Sequence, residues 1–207
     1  MAIPDNIRFT VAMRHFEDGG NLHDFRDDRK RWNERSTTDS YKEKVNALIT
    51  LATQHLCKAI VIVDSGQGDS PGTAEVLNYL INEQSESDIE STHFSNIERG
   101  DDNEWRKKDP KLNEALYWGR VDDKFKEELY SKIIAYAIEQ LGQEASENLG
   151  VFFVGHCDMA NDDGFYDGQI WKLMSDRNEH GEDFRPGKLQ NGKGMSYDVR
   201  ADKFEDF

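Results

Sequence analysis

The stretch KAIVIVDSGQGDSPGTAEVLNYL, residues 58–80, decides the fold, because an apolar strand leads through an acidic, glycine-containing turn into a helix. Residues 59–63 are an unbroken run of small and β-branched apolar side chains, which is typical of a strand covered on both faces in a parallel sheet. Asp64 follows at the carboxyl end of this strand, where open α/β sheets bind their ligands. The stretch therefore predicts an α/β fold.

The turn after Asp64 has two interpretations. Asp, Ser, Gly and Pro are ordinary turn residues, and a strand-to-helix connection can use them without binding any ligand. The glycines at 66, 68 and 72 do not have the spacing of a phosphate-binding Walker loop or of a dinucleotide-binding turn. If the turn binds a ligand, its carboxylates favour hydroxyl groups, base amides or metal ions over bare phosphate.

The rest of the chain alternates between strand-like and helix-like patterns. Strands are predicted at 7–13, 59–63, 89–97 and 150–155, and helices at 41–56, 73–82, 125–141 and 165–174. This order predicts one layered, Rossmann-like α/β domain over residues 1–177, with a mostly parallel central sheet flanked by helices. A polar insertion is predicted at about 98–124, and residues 178–207 are expected to be largely irregular.

A second apolar strand also ends in an acidic turn. GVFFVG at 150–155 is followed by HCDMANDDG, which brings His156 and Asp158 to a strand end. If this strand and the strand at 59–63 lie side by side, both turns meet at one edge of the sheet and can share one ligand.

Composition limits the classes of partner. The chain has 207 residues, with 26 basic and 41 acidic side chains and a net charge of -15, which disfavours extended contact with nucleic acid or an anionic membrane. Because no apolar run is long enough to span a bilayer and no export signal is evident, a cytoplasmic protein is expected. Cys57 and Cys157 are predicted to be small buried thiols, with a disulfide or a zinc site as the alternatives.

The two acidic turns resemble motifs of the GT-A glycosyltransferases, most closely the family 2-like members that use nucleotide-diphospho-sugars. That family has a strand, a turn of the form Val-Asp-Asp-Gly-Ser-x-Asp-Gly-Thr, and a helix. Residues 63–76, VDSGQGDSPGTAEV, are similar at both ends and carry Ser70 and Pro71 as two extra residues. VFFVGHCD at 151–158 stands where the family has its Asp-any-Asp metal motif, with His156 in place of the first carboxylate.

The resemblance implies a transferase that moves a sugar from a nucleotide-diphospho-sugar to an unknown acceptor hydroxyl, assisted by Mn²⁺ or Mg²⁺. It implies nucleotide contacts from two turns, metal ligands from a third and a catalytic base from the C-terminal segment. The nucleotide contacts would be Asp64, Ser65, Gly66, Asp69, Arg14, His15 and Glu17, the metal ligands Asp158 and His156, and the base Asp183.

Several alternatives stay open at this point. Asp183 belongs to a Glu-Asp pair for which a solvated surface position is the alternative, and Asp162 and Asp163 fit either further metal ligands or a turn. The same carboxylates around Mg²⁺ would suit a phosphohydrolase or another nucleotide-processing α/β enzyme. A non-catalytic module that binds a nucleotide or a sugar is the third hypothesis.

Overall fold

The structure is a computed structural model that describes residues 3–16, 38–67, 69–84, 86–102, 104–118, 121–155, 170–177 and 192–207. Its described residues form strands and helices that largely alternate along the chain. In chain order they are β1 (Ile7–Arg14), α1 (Asp39–Gln54), β2 (Ala59–Asp64), α2 (Ser70–Gln84), β3 (Glu90–Phe94), β4 (Ile97–Arg99), β5 (Trp105–Lys107), α3 (Pro110–Trp118), α4 (Asp123–Leu141), β6 (Leu149–Gly155), α5 (Ile170–Met174), β7 (Gly194–Asp198) and β8 (Lys203–Asp206).

Within these residues, one six-stranded sheet has the order β3-β2-β6-β1-β7-β8, and β4 and β5 form a separate hairpin. Strands β1, β6, β2 and β3 are parallel to one another, whereas β7 pairs antiparallel with β1 and β8 pairs antiparallel with β7. The predicted α/β domain with a mostly parallel sheet between helices is confirmed.

Each face of the sheet is covered by its own group of helices. Alternate residues of β2 point to opposite faces, so Ile60 and Ile62 join one core with α1 and α2, while Val61 and Val63 join the other core with α3, α4 and α5. This double coverage explains why the central strands are apolar at every position. Cys57 is buried in the first core as a free thiol, and burial raises its pKa to about 12.

The connections between the strands explain why α1 and α2 cover one face of the sheet and α3 and α4 cover the other. From β1 to β2 to β3 the chain moves toward the β3 edge through α1 and α2, and it then returns to β6 through α3 and α4. A reversal of direction with the same right-handed crossover requires the opposite face of the sheet. As a result, β6 lies between β2 and β1, whose own connections leave on the other face. Such a change of face is where open α/β sheets form a ligand crevice.

Two predictions about the polar segments need correction. Residues 194–206, expected to be irregular, form β7 and β8 and extend the same central sheet. In the sequence GMSYD, Met195 and Tyr197 are directed into one core. The glycine and the two polar residues of this short segment make the apolar alternation difficult to identify from sequence. The insertion predicted at about 98–124 contains the β4–β5 hairpin and helix α3.

Helix α3 belongs to the core and is not a purely polar feature. Its residues Leu112, Ala115 and Leu116 have the spacing of one helical face and are fully buried. Helix α4 starts where the side chain of Asp122 accepts a hydrogen bond from the backbone N–H of Phe125 at 2.7 Å. Among the described helices, none combines the length and the apolar character needed to cross a membrane.

Candidate functional site

The ends of β2 and β6 meet at the carboxyl edge of the sheet. Asp64, the last residue of β2, lies opposite Val154 of β6, and the backbone N–H of Ser65 donates to the Val154 carbonyl at 3.1 Å. On the other side of β6, Arg14 at the end of β1 lies opposite Gly155. The predicted adjacency of the two apolar strands is therefore confirmed.

Asp64 is fully buried, and both of its carboxylate oxygens accept hydrogen bonds from the protein. Oδ1 accepts from the backbone N–H of Gly66 at 2.6 Å, and Oδ2 accepts from the backbone N–H of Asn96 at 3.2 Å and from His93 Nε2 at 2.7 Å. Because Asp64 has no exposed surface, a nucleoside can contact this carboxylate only if the groups around it move. The contact that the resemblance implies for Asp64 stays a prediction.

His93 lies between two carboxylates. Its Nε2 bonds Asp64, and its Nδ1 bonds Oε2 of Glu75 at 3.1 Å, with 6% of the His93 side chain exposed. Burial alone would lower the pKa of His93, but hydrogen bonds and negative charges from Asp64 and Glu75 outweigh it and raise the pKa to about 9. Because both ring nitrogens face acceptors, both carry protons and the ring is a cation at neutral pH.

Asn96 joins the ends of β2 and β3 to the start of α3. Its side-chain Nδ2 donates to the carbonyls of Ser65 and Asp109, each at 3.0 Å, and its Oδ1 accepts from the Asp109 backbone N–H at 2.9 Å. Its backbone carbonyl accepts from the N–H of Lys108 at 2.9 Å. The residue is 1% exposed, so its polar groups are satisfied inside the protein.

The turn from Ser65 to Ser70 is closed by hydroxyl groups. The Ser70 hydroxyl donates to the carbonyl of Gln67 at 2.8 Å, and the Ser65 hydroxyl, 2.6 Å from that of Ser70, therefore donates to it. Gly66 has a φ of +71°, and a Cβ there would stand 3.0 Å from the carbonyl oxygen of Asn96. Glycine is thus required both by the left-handed backbone and by the close approach.

The turn after β1 reaches the start of α2. The buried ring of His15 donates from Nδ1 to the carbonyl of Phe16 at 2.8 Å, and the same nitrogen is 4.0 Å from Oδ2 of Asp69. The backbone N–H of Phe16 donates to the hydroxyl of Thr73 at 3.2 Å. His15 and Asp69, both predicted from the sequence, therefore lie together. His15 follows β1, and β6 separates β1 from β2, the strand that ends at Asp64.

The remaining predicted site residues lie outside the described residues. They are Glu17, His156, Asp158 and Asp183, together with Cys157, Asp162 and Asp163. In the part of the chain that the structure describes, no group of three His, Cys, Asp or Glu side chains could hold a metal ion. The predicted Mn²⁺ or Mg²⁺ site therefore depends on the turn after β6.

Sequence reasoning missed His93, Glu75 and Asn96. The strand that carries His93 was predicted, and its carboxyl end belongs to the same edge as Asp64 because β2 and β3 are parallel. A polar residue at that position was therefore a usable signal. Glu75 was harder to find, since its pairing depends on how α2 lies over the edge of the sheet.

Comparison with known proteins gives no match for this chain, whether with family models, with curated proteins or with solved structures.

Proposed function

We propose that this protein is a glycosyltransferase that moves a sugar from a nucleotide-diphospho-sugar to an acceptor hydroxyl, with the ligand bound at the carboxyl edge of the sheet. The observation that carries the proposal is the parallel pairing of β2 with β6. Because an acidic turn follows each of these strands, the two turns begin at neighbouring points of the same sheet edge. The position of β6 between two strands whose connections leave on the opposite face supports the same location.

In this proposal the residues of the β2 turn have different tasks. Asp64 is enclosed, so its contribution is to fix the backbone of Gly66 and of Asn96. Asp69 has 27% of its side chain exposed and lies next to His15, which makes it the better candidate for contact with a ribose or base. A bound divalent cation would neutralise charge on the diphosphate leaving group. Since the described residues contain no ligand set for it, the cation in this proposal depends on the turn after β6, where the resemblance implies His156 and Asp158 as ligands.

One observation favours a second candidate, a non-catalytic module that binds a nucleotide or a sugar. Both oxygens of Asp64 are used by protein donors, as in a structural network. The same observation disfavours a phosphohydrolase in which Asp64 holds Mg²⁺, because the carboxylate would have to abandon those donors.

Thermal unfolding in the presence of nucleoside diphosphates and their sugars, with and without Mn²⁺, tests the proposal. A ligand at 100 times its dissociation constant stabilises the folded state by about 2.7 kcal/mol. The transferase predicts metal-dependent stabilisation and slow release of nucleoside diphosphate. Asp158→Ala should abolish the metal dependence, while Asp206→Ala, at an exposed position of β8, should not.

Three results would contradict the proposal. Stabilisation without metal and without turnover identifies the binding module. Hydrolysis of simple phosphate esters identifies a phosphohydrolase. Unchanged turnover in Asp158→Ala removes that residue from the mechanism.

A further inference from the structure

Two lysines from distant parts of the sequence lie near each other beside the end of β1. The Nζ of Lys44, on α1, is 4.4 Å from the ring centroid of Phe207. The backbone of Phe207 exchanges two hydrogen bonds with Gly194, at 2.9 and 3.0 Å, and Lys193 directly precedes that glycine. Lys44 and Lys193 will be called the lysine pair.

The lysine pair lies at the same edge of the sheet as the candidate site. The backbone N–H of Arg14 donates to the carbonyl of Lys193 at 3.0 Å, and Arg14 lies opposite Gly155 at the end of β6. Neighbouring strands are about 4.8 Å apart, so the backbone of Lys193 is roughly 10 Å from that of Gly155. A ligand of nucleotide size at the end of β6 can therefore reach the pair.

The described residues compensate the charges of the pair poorly. Among the described residues, neither lysine forms an ion pair, although the whole chain has a net charge of -15. Lys44 is half-buried; its burial and, next, the positive charge of Lys193 lower its pKa to about 8, and Glu43 opposes this less strongly. A bound anion stabilises two like charges that lie near each other.

We propose that Lys44 and Lys193 bind the diphosphate of the nucleotide ligand. This inference rests on the proposed function for the identity of the ligand, and it adds a phosphate-binding group that neither acidic turn supplies. The ligand would then extend along the edge of the sheet, with its nucleoside toward the β2 turn and its diphosphate toward β1 and β7. Ammonium groups suit phosphate oxygens as charge-assisted donors.

Calorimetric titration with inorganic pyrophosphate tests the inference without any assumption about base or sugar. The double variant Lys44→Gln/Lys193→Gln should bind pyrophosphate at least about tenfold more weakly, the loss expected for one charge-assisted hydrogen bond. The matched control is Lys58→Gln/Lys203→Gln, which removes the same charge from two exposed lysines that pair with Glu144 and Glu205. The control should bind within about twofold of the wild type, because distant exposed charges are screened by salt.

An equal loss of affinity in both double variants would reduce the effect to net charge and overturn the inference. Unchanged binding in Lys44→Gln/Lys193→Gln, or no binding of pyrophosphate by the wild type, would overturn it as well. Binding of pyrophosphate that depends on the lysine pair, without any binding of nucleotide-sugars, would support the anion site and contradict the proposed function instead.

Discussion

His93 and Lys126 are both buried cationic side chains, yet the protein shifts their pKa values in opposite directions. The pKa of His93 is raised to about 9, whereas the pKa of Lys126 is lowered below its usual 10.5, chiefly by burial. His93 has a carboxylate at each ring nitrogen, at 2.7 and 3.1 Å. Lys126, on α4, donates to the carbonyl of Ser175 at 2.5 Å, and its Nζ is 3.4 Å from Oδ1 of Asp176.

The comparison shows what a buried cation needs in order to remain charged. Burial penalises the charged form in both places, and at Lys126 the attraction of Asp176 does not compensate for it fully. Two carboxylates at hydrogen-bond distance do. The cluster at the end of β2 and β3 is thus built around an ionised imidazole, while Lys126 mainly connects α4 to the end of α5 by a hydrogen bond.

The largest expected effect comes from removing the buried carboxylate. Asp64→Ala leaves His93 with one carboxylate and leaves the backbone N–H groups of Gly66 and Asn96 without their acceptor. Breaking a buried ion pair from one side costs about 3–5 kcal/mol. Urea unfolding should show a loss of that size in the free energy of unfolding.

The exposed pair of Asp102 and Arg106 provides the control, since about half of each side chain or more is accessible to solvent. Asp102→Ala should cost less than about 1 kcal/mol. If Asp64→Ala does not fold, Asp64→Asn removes the charge and keeps the size of the side chain. A loss from Asp64→Asn no larger than that from Asp102→Ala would show that the charge of Asp64 does not stabilise the fold.

A second effect concerns the pH dependence of stability. Because the folded pKa of His93, about 9, exceeds its usual 6.5, the folded state binds the proton more tightly than the unfolded state does. Its stabilisation is complete below pH 6.5 and is lost as the pH rises through 9. The shift corresponds to about 3 kcal/mol.

His93→Gln measures this contribution directly. The difference in unfolding free energy between the wild type and His93→Gln should be largest near pH 6 and should shrink steadily toward pH 9.5. The comparison with the variant subtracts the titration of groups remote from the cluster, whose environments His93→Gln leaves unchanged. A difference that stays constant over this range would mean that His93 is neutral in the folded protein.

Much of this architecture was accessible from sequence because burial on both faces leaves an unmistakable pattern. The apolar runs in β2 and β6 gave the central strands, and their shared edge followed from the rules of parallel sheets. β7 was not found because its buried Met195 and Tyr197 alternate with polar residues within only five positions. A strand this short is identified from its pairing with β1 in the structure, because its own composition is not distinctive.

The candidate site was predictable only in its location. Asp64 falls at the strand end as expected, but whether a carboxylate faces a ligand or the protein depends on side chains from other elements. Here Asn96 and His93 from the β3 side enclose it, and Glu75 from α2 completes the cluster. Those distances join residues up to 32 positions apart, and local sequence patterns contain no information on them.

The smallest expected effect tests the other half of the comparison. Lys126→Met keeps most of the apolar stem of the side chain and loses the hydrogen bond to the Ser175 carbonyl, at a cost of about 1–2 kcal/mol near pH 7. Because the folded pKa of Lys126 lies below 10.5, the unfolded state binds more protons in the interval between the two values. The stability of the wild type relative to Lys126→Met should therefore increase as the pH rises toward 10.5, opposite in sign to the trend for His93.

Lys124, on the same helix, provides the matched control, because 83% of its side chain is exposed and its one ion pair among the described residues is with Glu128 at 3.6 Å. Lys124→Met should change the free energy of unfolding by less than about 0.5 kcal/mol, with no trend between pH 7 and 10.5. If the difference for Lys126→Met instead decreased with pH, the attraction of Asp176 would exceed the penalty of burial. The two buried cations would then obey the same rule, and the number of close carboxylates could not be what separates them.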